Sequence, residues 1–552
     1  MSAYDPQRID FDLGQRWRRL AGKNHGGSRI CVPFPSVNGA PTVNRRDALR
    51  LGVSSLVMSA AASATAQTKV DARAAPRMKM TTDIPASITT PDEIQTRIGT
   101  LKFFDGFPDK ATVDKVYDNL DFQRGVQAYL TALPAVSIEG VRGGVTELGP
   151  VNQTALIAEQ LLDSRSLFLT ANTTTPYTAL YLNTKDGPLV LEIPPEVLGP
   201  VDDAWFRWVT DVGFTGPDKG KGGKYLLLPP GYTSEVPDGY FVARSRTFGN
   251  LMFFRTFLKD GDPKPGVDNV KKNLRVYPLS QAANPPEMKF VNISGKAFNT
   301  IGPGDYSAFE YLNRTIQNEP SDALDPDMLG VFAAIGIEKG KPFNPDARMK
   351  KILVDAAAVG DATARTLTYQ SRIKEAYFYP NSAWMTPFIG GSYKFEQNGV
   401  VDLDAKDLFF FYATGVTPAM TEKMIGEGSQ YAAAFVDAKG DPLDGGKSYR
   451  VHMPANIPIK NFWSLTAYDT QTRSMLQTDQ QFPAVGSLTK GLLVNGDGSV
   501  DVYFGPKAPV GKENNWVQTI PGKGWSTVLR LYSPLEPWFS KTWRPGEIEL
   551  HG

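Results

Sequence analysis

The sequence predicts a mainly β protein with helical segments: two antiparallel β domains of jelly-roll-like or sandwich type, joined by a helical connector. Three observations carry this expectation. Over 165–285 and again over 435–552, short runs rich in aromatic and β-branched residues alternate with turn signals at close intervals, the rhythm of a β-sandwich or jelly roll. Between them, over 286–434, apolar residues recur at helical spacing. The charge is nearly balanced, with 59 Lys and Arg against 58 Asp and Glu, and no basic stripe appears, so nucleic acid is not an expected partner.

Residues 1–43 read as an irregular leader, polar and without a hydrophobic period. Residues 44–66 read as an export signal. Arg45 and Arg46 precede a small-residue apolar run that ends in Ala64-Thr65-Ala66, the pattern of a twin-arginine signal with its cleavage site. The run is shorter than the ~20 residues a spanning helix needs, so the mature chain is expected to have no transmembrane segment. Export machinery reads signals at the N-terminus, so translation is expected to start at Val43 and cleavage to follow Ala66; the competing reading is a start at Met1, with an N-terminal extension on a membrane anchor that is never removed. The mature protein is then periplasmic or secreted. The chain has one cysteine, Cys31, which lies before the signal. Thiol catalysis and cysteine-ligated metals are thereby excluded from the mature chain. Of three histidines, His25 falls in the leader and His551 at the terminus. His452, in the alternating "SYRVHMP", reads as structural.

Residues 67–164 form a polar lead-in and N-terminal helices. Val113, Val116, Tyr117, Leu120, Val126, Tyr129 and Leu130 keep helical spacing until Pro134, which should end that helix. A second helix is expected over 153–163. The first β domain then runs over 165–285, with Asp186-Gly187 as a hairpin turn. In the connector the clearest helix lies within 345–378, with Asn344 as cap and Pro345 at the first helical position. Another is expected over 417–435. The last β domain, 435–552, ends in a strand that alternates over 527–532.

Several of these stretches resemble a known family. "FWSLTAYD", "NGDGSVDVYFGP", "NNWVQTIPGKGWSTVLRLYSP" and "TWRPGEIE" look like the C-terminal domain of unknown function numbered 1214. "DFQRGVQAYLTALP", "TANTTTPYTALYLNTKDGPLVLEIPP" and "GKYLLLPPGY" resemble the domain numbered 1254 that commonly precedes it. The resemblance implies an exported bacterial protein with two jelly-roll-like domains, assembled as a homo-oligomer. It implies no particular reaction.

Two sets of residues carry candidate chemistry. In "NTTTPYT", Asn172, Thr175 and Tyr177 combine with Asp211 of "WVTDVGF" into a polar pocket at the mouth of a β domain. There Asp211 would act as general base, Tyr177 as proton donor, and Arg255 or Arg530 as an anion clamp. The competing reading is that the Asn and Thr side chains satisfy backbone groups at a strand corner. The second set is Trp463, Tyr468, Arg473, Trp516, Trp525, Arg530 and Tyr532, aromatic platforms and arginines suited to sugars or organic anions. Alternation makes part of this set core. The carboxylate-rich loops 401–407, 437–446 and 495–501 lack EF-hand spacing, and "GPDKGKGGKY" lacks the Ser or Thr of a phosphate-binding loop. No metal and no cofactor are expected.

Two functions remain open at this level. One is a hydrolase or lyase acting on a small polar or carbohydrate-like substrate. The other is a non-catalytic carbohydrate- or organic-anion-binding protein, or an envelope scaffold. The export reading is tested by intact-mass measurement on protein from its native host. A mass starting at Gln67 is expected; one that includes residues 1–43 overturns it.

Overall fold

In the computed structural model, which describes residues 78–552, both β regions are two-sheet sandwiches. The leader, the twin-arginine segment and its cleavage site lie outside the described residues. The first sandwich has a six-stranded sheet in the order Lys289–Asn292, Thr154–Ile157, Tyr177–Asn183, Gly249–Arg255, Leu198–Asp203, Trp208–Gly213. Its four-stranded partner runs Phe241–Arg244, Gly223–Leu228, Leu189–Ile193, Arg275–Pro278. The second sandwich pairs Ser429–Ala434, Trp525–Tyr532, Trp463–Asp469, Ala484–Gly486 with Trp516–Gln518, Val500–Gly505, Tyr449–Met453, Ile548–Leu550. Within these four sheets the ladders are antiparallel except at three edge strands, Phe241–Arg244, Lys289–Asn292 and Trp516–Gln518.

One sheet of each sandwich is buried on both faces, and strand alternation sorts the side chains between them. Along Tyr177–Asn183, Leu180 and Leu182 enter the first sandwich interior with Leu191, Tyr225, Met252 and Phe254. Tyr177, Ala179 and Tyr181 face the other way, into a large core shared with the helices. Every residue of Trp525–Tyr532 is buried. Trp525, Leu529 and Leu531 pack inside the second sandwich with Trp463 and Leu465, whereas Val528 joins the shared core. Each large apolar side chain so buried is worth about 1.5–3 kcal/mol relative to exposure. The helices therefore serve as a common cover for two outer sheet faces.

The longest helix, Lys110–Leu148, begins at Asp109, whose carboxylate accepts from the Thr112 N–H at 2.7 Å. It runs through Pro134, where the sequence reading ends it. A proline there forfeits one backbone hydrogen bond and crowds the preceding turn, at a cost of about 3 kcal/mol. Residues 132–136 are all buried, most of them in the shared core, and their burial offsets that cost. Helix Ala347–Tyr369 is capped by Asp346, which accepts from the Met349 N–H at 2.8 Å, two residues after the expected Asn344. The two helices approach closely through Gly125 and Gly360. A Cβ at Gly360 would lie 2.4 Å from Tyr129 Cδ1, and one at Gly125 would lie 2.7 Å from Ala356 Cβ.

Three local expectations are corrected. The 153–163 stretch supplies strand Thr154–Ile157, all four residues buried. An apolar run covered on both faces shows no period by which to tell strand from helix. The 417–435 stretch is a short helix, Pro418–Thr421, and then strand Ser429–Ala434, separated by Gly426 and Gly428 at φ +77° and +65°. Asp186-Gly187 does form a turn, but it crosses between the two sheets, because Tyr177–Asn183 pairs with Gly249–Arg255 instead of Leu189–Ile193. His452 sits opposite Asp501 on the neighbouring strand, with its Nδ1 2.8 Å from the carboxylate. Among the described residues no helix is long and apolar enough to cross a membrane.

Burial pushes the Asp407 carboxyl up to about 8, against the attraction of neighbouring Lys406. The folded state therefore holds a proton that the unfolded chain releases near pH 4. The stability associated with that proton is complete below pH 4 and is lost as pH rises towards 8. Asp407→Asn should accordingly gain stability relative to the parent across this window, in urea midpoints taken from pH 4 to 9. A constant difference at all pH values contradicts this assignment.

Candidate functional site

The candidate site follows from the same alternation. Arg255 ends strand Gly249–Arg255, in register with Leu251 and Phe253, which face the shared core, while Met252 and Phe254 point into the sandwich. Arg530 follows the parity of Val528, away from the interior positions Leu529 and Leu531. Both arginines line one cavity of about 60 Å³ between the two sandwiches. That is room for about four or five waters, or for one small anion. Its wall also includes residues 168–171, Pro387 and Phe388, Phe409 and Tyr412 of helix Leu403–Tyr412, and Met420 of helix Pro418–Thr421.

The electrostatics of the cavity are lopsided. Arg530 is 3% exposed; its Nη2 donates to the Thr170 carbonyl and its Nη1 has no partner. Among the described residues neither arginine takes part in an ion pair. Tyrosines surround them instead. The Arg255 guanidinium carbon lies 5.7 Å from the Tyr177 ring centre and 5.9 Å from that of Tyr532. That of Arg530 lies 5.5 Å from Tyr468 and 5.9 Å from Tyr431. Ring faces give about 0.5–2 kcal/mol per contact, less than the several kcal/mol that desolvating a charge costs. Burial raises the Tyr177 and Tyr468 hydroxyls and pushes Tyr532 up to about 12, so these phenols keep their protons.

Asn172 and Thr175 support this arrangement from behind. The Asn172 carboxamide oxygen accepts from the Thr174 and Thr175 N–H groups at 2.8 and 2.9 Å and from both threonine hydroxyls, which fixes the corner. Its amide nitrogen and its backbone N–H both donate to the Tyr177 hydroxyl. With its oxygen so engaged, Tyr177 is left with an O–H to donate, and its ring lines the cavity. The Tyr468 hydroxyl donates to the Ala171 carbonyl at 2.6 Å.

The structure thus brings Tyr177, Arg255, Tyr468 and Arg530 together and places Asn172 and Thr175 in support. Asp211 does not line the cavity. Its carboxylate accepts from the Thr417 hydroxyl at 2.6 and 2.8 Å and from the Trp208 indole at 2.8 Å. Asp202 accepts from the Val416 N–H at 3.0 Å. Together these two carboxylates tether the segment whose residues 413–415 form part of the cavity wall. Trp463 is 3% exposed inside the second sandwich, apart from the cavity. Arg473 lies elsewhere, its guanidinium 4.2 Å from the Phe411 ring centre. Nothing in the sequence singles out Tyr431, because the spacing over 417–435 predicts a helix. As a strand residue it sits directly opposite Arg530. The carboxylate-rich loops bond to their own backbone, as Asp437 does to the Lys439 and Asp441 N–H groups. Among the described residues no three His, Cys, Asp or Glu side chains converge as a metal site.

These features define a two-sandwich protein with a buried cationic cavity at the junction. Residues 151–278 match the family described as protein of unknown function DUF1254, and residues 428–536 match protein of unknown function DUF1214. The chain therefore carries the tandem pair, in that order. Tyr177 and Arg255 come from the first matched region and Tyr431 and Arg530 from the second, so the cavity needs both. Among solved structures, the VPA0106 protein from Vibrio parahaemolyticus is 16% identical with a TM-score of 0.50, covering 78% of this chain and all of that one. This likeness shows the fold alone. An uncharacterized protein from Burkholderia cenocepacia is 12% identical over 78% of this chain and 95% of its own, with a TM-score of 0.36. No curated protein matches the chain.

A buried cation without a counter-ion is a stability cost in the empty protein. Arg530→Met should therefore stabilise the ligand-free protein by about 1–3 kcal/mol, read from urea unfolding. A loss of stability would mean that the cation is compensated within the fold.

Proposed function

We propose that the protein is exported and binds a small organic anion in the cavity between its two sandwiches. The observation that carries this reading is the pair of arginines lining one cavity, neither of them paired with a carboxylate among the described residues. An incoming carboxylate supplies the missing counter-charge and accepts from Arg255 and Arg530, with the Tyr177 hydroxyl as a further donor. Phe388, Phe409 and Met420 take the apolar remainder of the ligand. The cavity volume favours a small acid over an oligosaccharide.

A hydrolase or lyase at this site would have Tyr177 as proton donor. Its proposed base, Asp211, is engaged with Thr417 and Trp208 behind the wall, so binding has the stronger support. The export assignment rests on the twin-arginine segment, and the homo-oligomeric state on the family resemblance.

Thermal-shift and calorimetric titration with acetate, benzoate and succinate, against benzamide as neutral control, test the reading. The acids should bind and stabilise, by about 2.7 kcal/mol at a hundred times Kd, and the amide should not. Arg530→Met should weaken acid binding about 100-fold, in line with losing a buried charge partner. Absence of any acid-specific stabilisation overturns the reading, and conversion of a bound acid, followed by NMR, replaces it with the catalytic one.

A further inference from the structure

A second, larger cleft of about 530 Å³ borders a different face of helix Leu403–Tyr412 from the Arg255–Arg530 cavity. Phe409 and Tyr412 line the cavity, whereas Lys406 and Phe410 line the cleft, and the two share no lining residue. The rest of the cleft comes from the turn and strand around 203–209, from Arg244 and Arg246, and from the hairpin around 393–401.

Its charge is one-sided. Arg207, Arg244, Arg246, Lys394 and Lys406 line it against Asp203 and Glu396, five cations to two carboxylates. Asp203 is already committed: it pairs with Arg207 and accepts the backbone N–H groups of Trp205 and Arg207 at 2.8 and 3.0 Å. Among the described residues Arg246 and Lys406 take part in no ion pair. Burial lowers the affinity of the Lys406 amine for its proton, against the attraction of neighbouring Asp407. Trp205 is 4% exposed, lines the cleft, and has no acceptor for its indole N–H. Donors and positive charge thus exceed what the protein itself supplies in acceptors. The walls are aromatic: Trp208 and Tyr393 meet edge to face with ring centres 5.5 Å apart.

We propose that this cleft is a second binding site, for an acidic oligosaccharide of the uronate type. Several cations in one cleft match a ligand with a carboxylate on successive units, where a single small acid would leave most of them unanswered. Aromatic rings match the C–H faces of sugar rings, and the unpaired indole N–H matches a sugar hydroxyl or ring oxygen. The size lies within the usual range of small-molecule sites, about 300–1,000 Å³. The proposal is independent of the anion assigned to the inner cavity.

Titration of tryptophan fluorescence with trigalacturonate, maltotriose and sulfate tests it on the full mature chain. Trigalacturonate should bind and maltotriose should not. Both Arg244 and Arg246 are exposed, so the double variant Arg244→Ala/Arg246→Ala should fold normally, as its Tm checks, yet bind trigalacturonate at least tenfold more weakly. Arg530→Met should leave this binding unchanged. The proposal is overturned by failure of trigalacturonate to bind, by equal binding of maltotriose, or by wild-type affinity in the double variant. Sulfate binding as tightly as trigalacturonate overturns the saccharide assignment.

Discussion

The structure depends on a sheet in each sandwich that must be covered on both faces. The strands Tyr177–Asn183 and Gly249–Arg255 in one sandwich, and Trp525–Tyr532 in the other, carry large side chains at odd and even positions alike. One parity closes the sandwich. The other would expose a broad apolar face, and the helices exist to cover it. Helix Lys110–Leu148 tolerates Pro134 and packs through Gly125 and Gly360 because this cover must be continuous and close. A shared cover draws the two sandwiches to one core, and the polar ends of their outer faces then meet.

What meets there is electrostatically incomplete. Two arginines on the outer faces of their sandwiches, ringed by protonated tyrosines, hold positive charge that no acid among the described residues balances. Acids nearby are employed differently. Asp202 and Asp211 bind the chain at 416–417 and so hold the adjoining wall in place. The catalytic and the tethering reading of Asp211 differ only in what its oxygens touch, and a buried carboxylate that accepts a hydroxyl twice and an indole once has little left to offer a substrate.

Legibility from sequence tracks how local the physics is. The strand rhythm of both sandwiches and the helix within 345–378 follow from short-range periodicity and turn chemistry, and these regions are β and helical as read. For Thr154–Ile157 and Ser429–Ala434 the sequence predicts helix, because burial on both faces removes the period that identifies a strand. With Ser429–Ala434 went Tyr431, whose place beside Arg530 depends on a ladder between segments about a hundred residues apart. Asp186-Gly187 has the residues of a hairpin turn, yet which strands it connects in space is set by pairing with residues far along the chain.

By itself, the sequence determined the class of the fold, the tandem family pair and the candidate groups Tyr177, Arg255, Tyr468 and Arg530, because residue type, periodicity and spacing are local properties. Only the tertiary structure decided which of these share a cavity, that Asp211 and Trp463 stand apart from it, and that no carboxylate among the described residues pairs with the two arginines. The reason is physical. A charge is balanced or unbalanced only by what lies within a few ångströms of it, and across two sandwiches that neighbourhood is assembled from residues hundreds of positions apart.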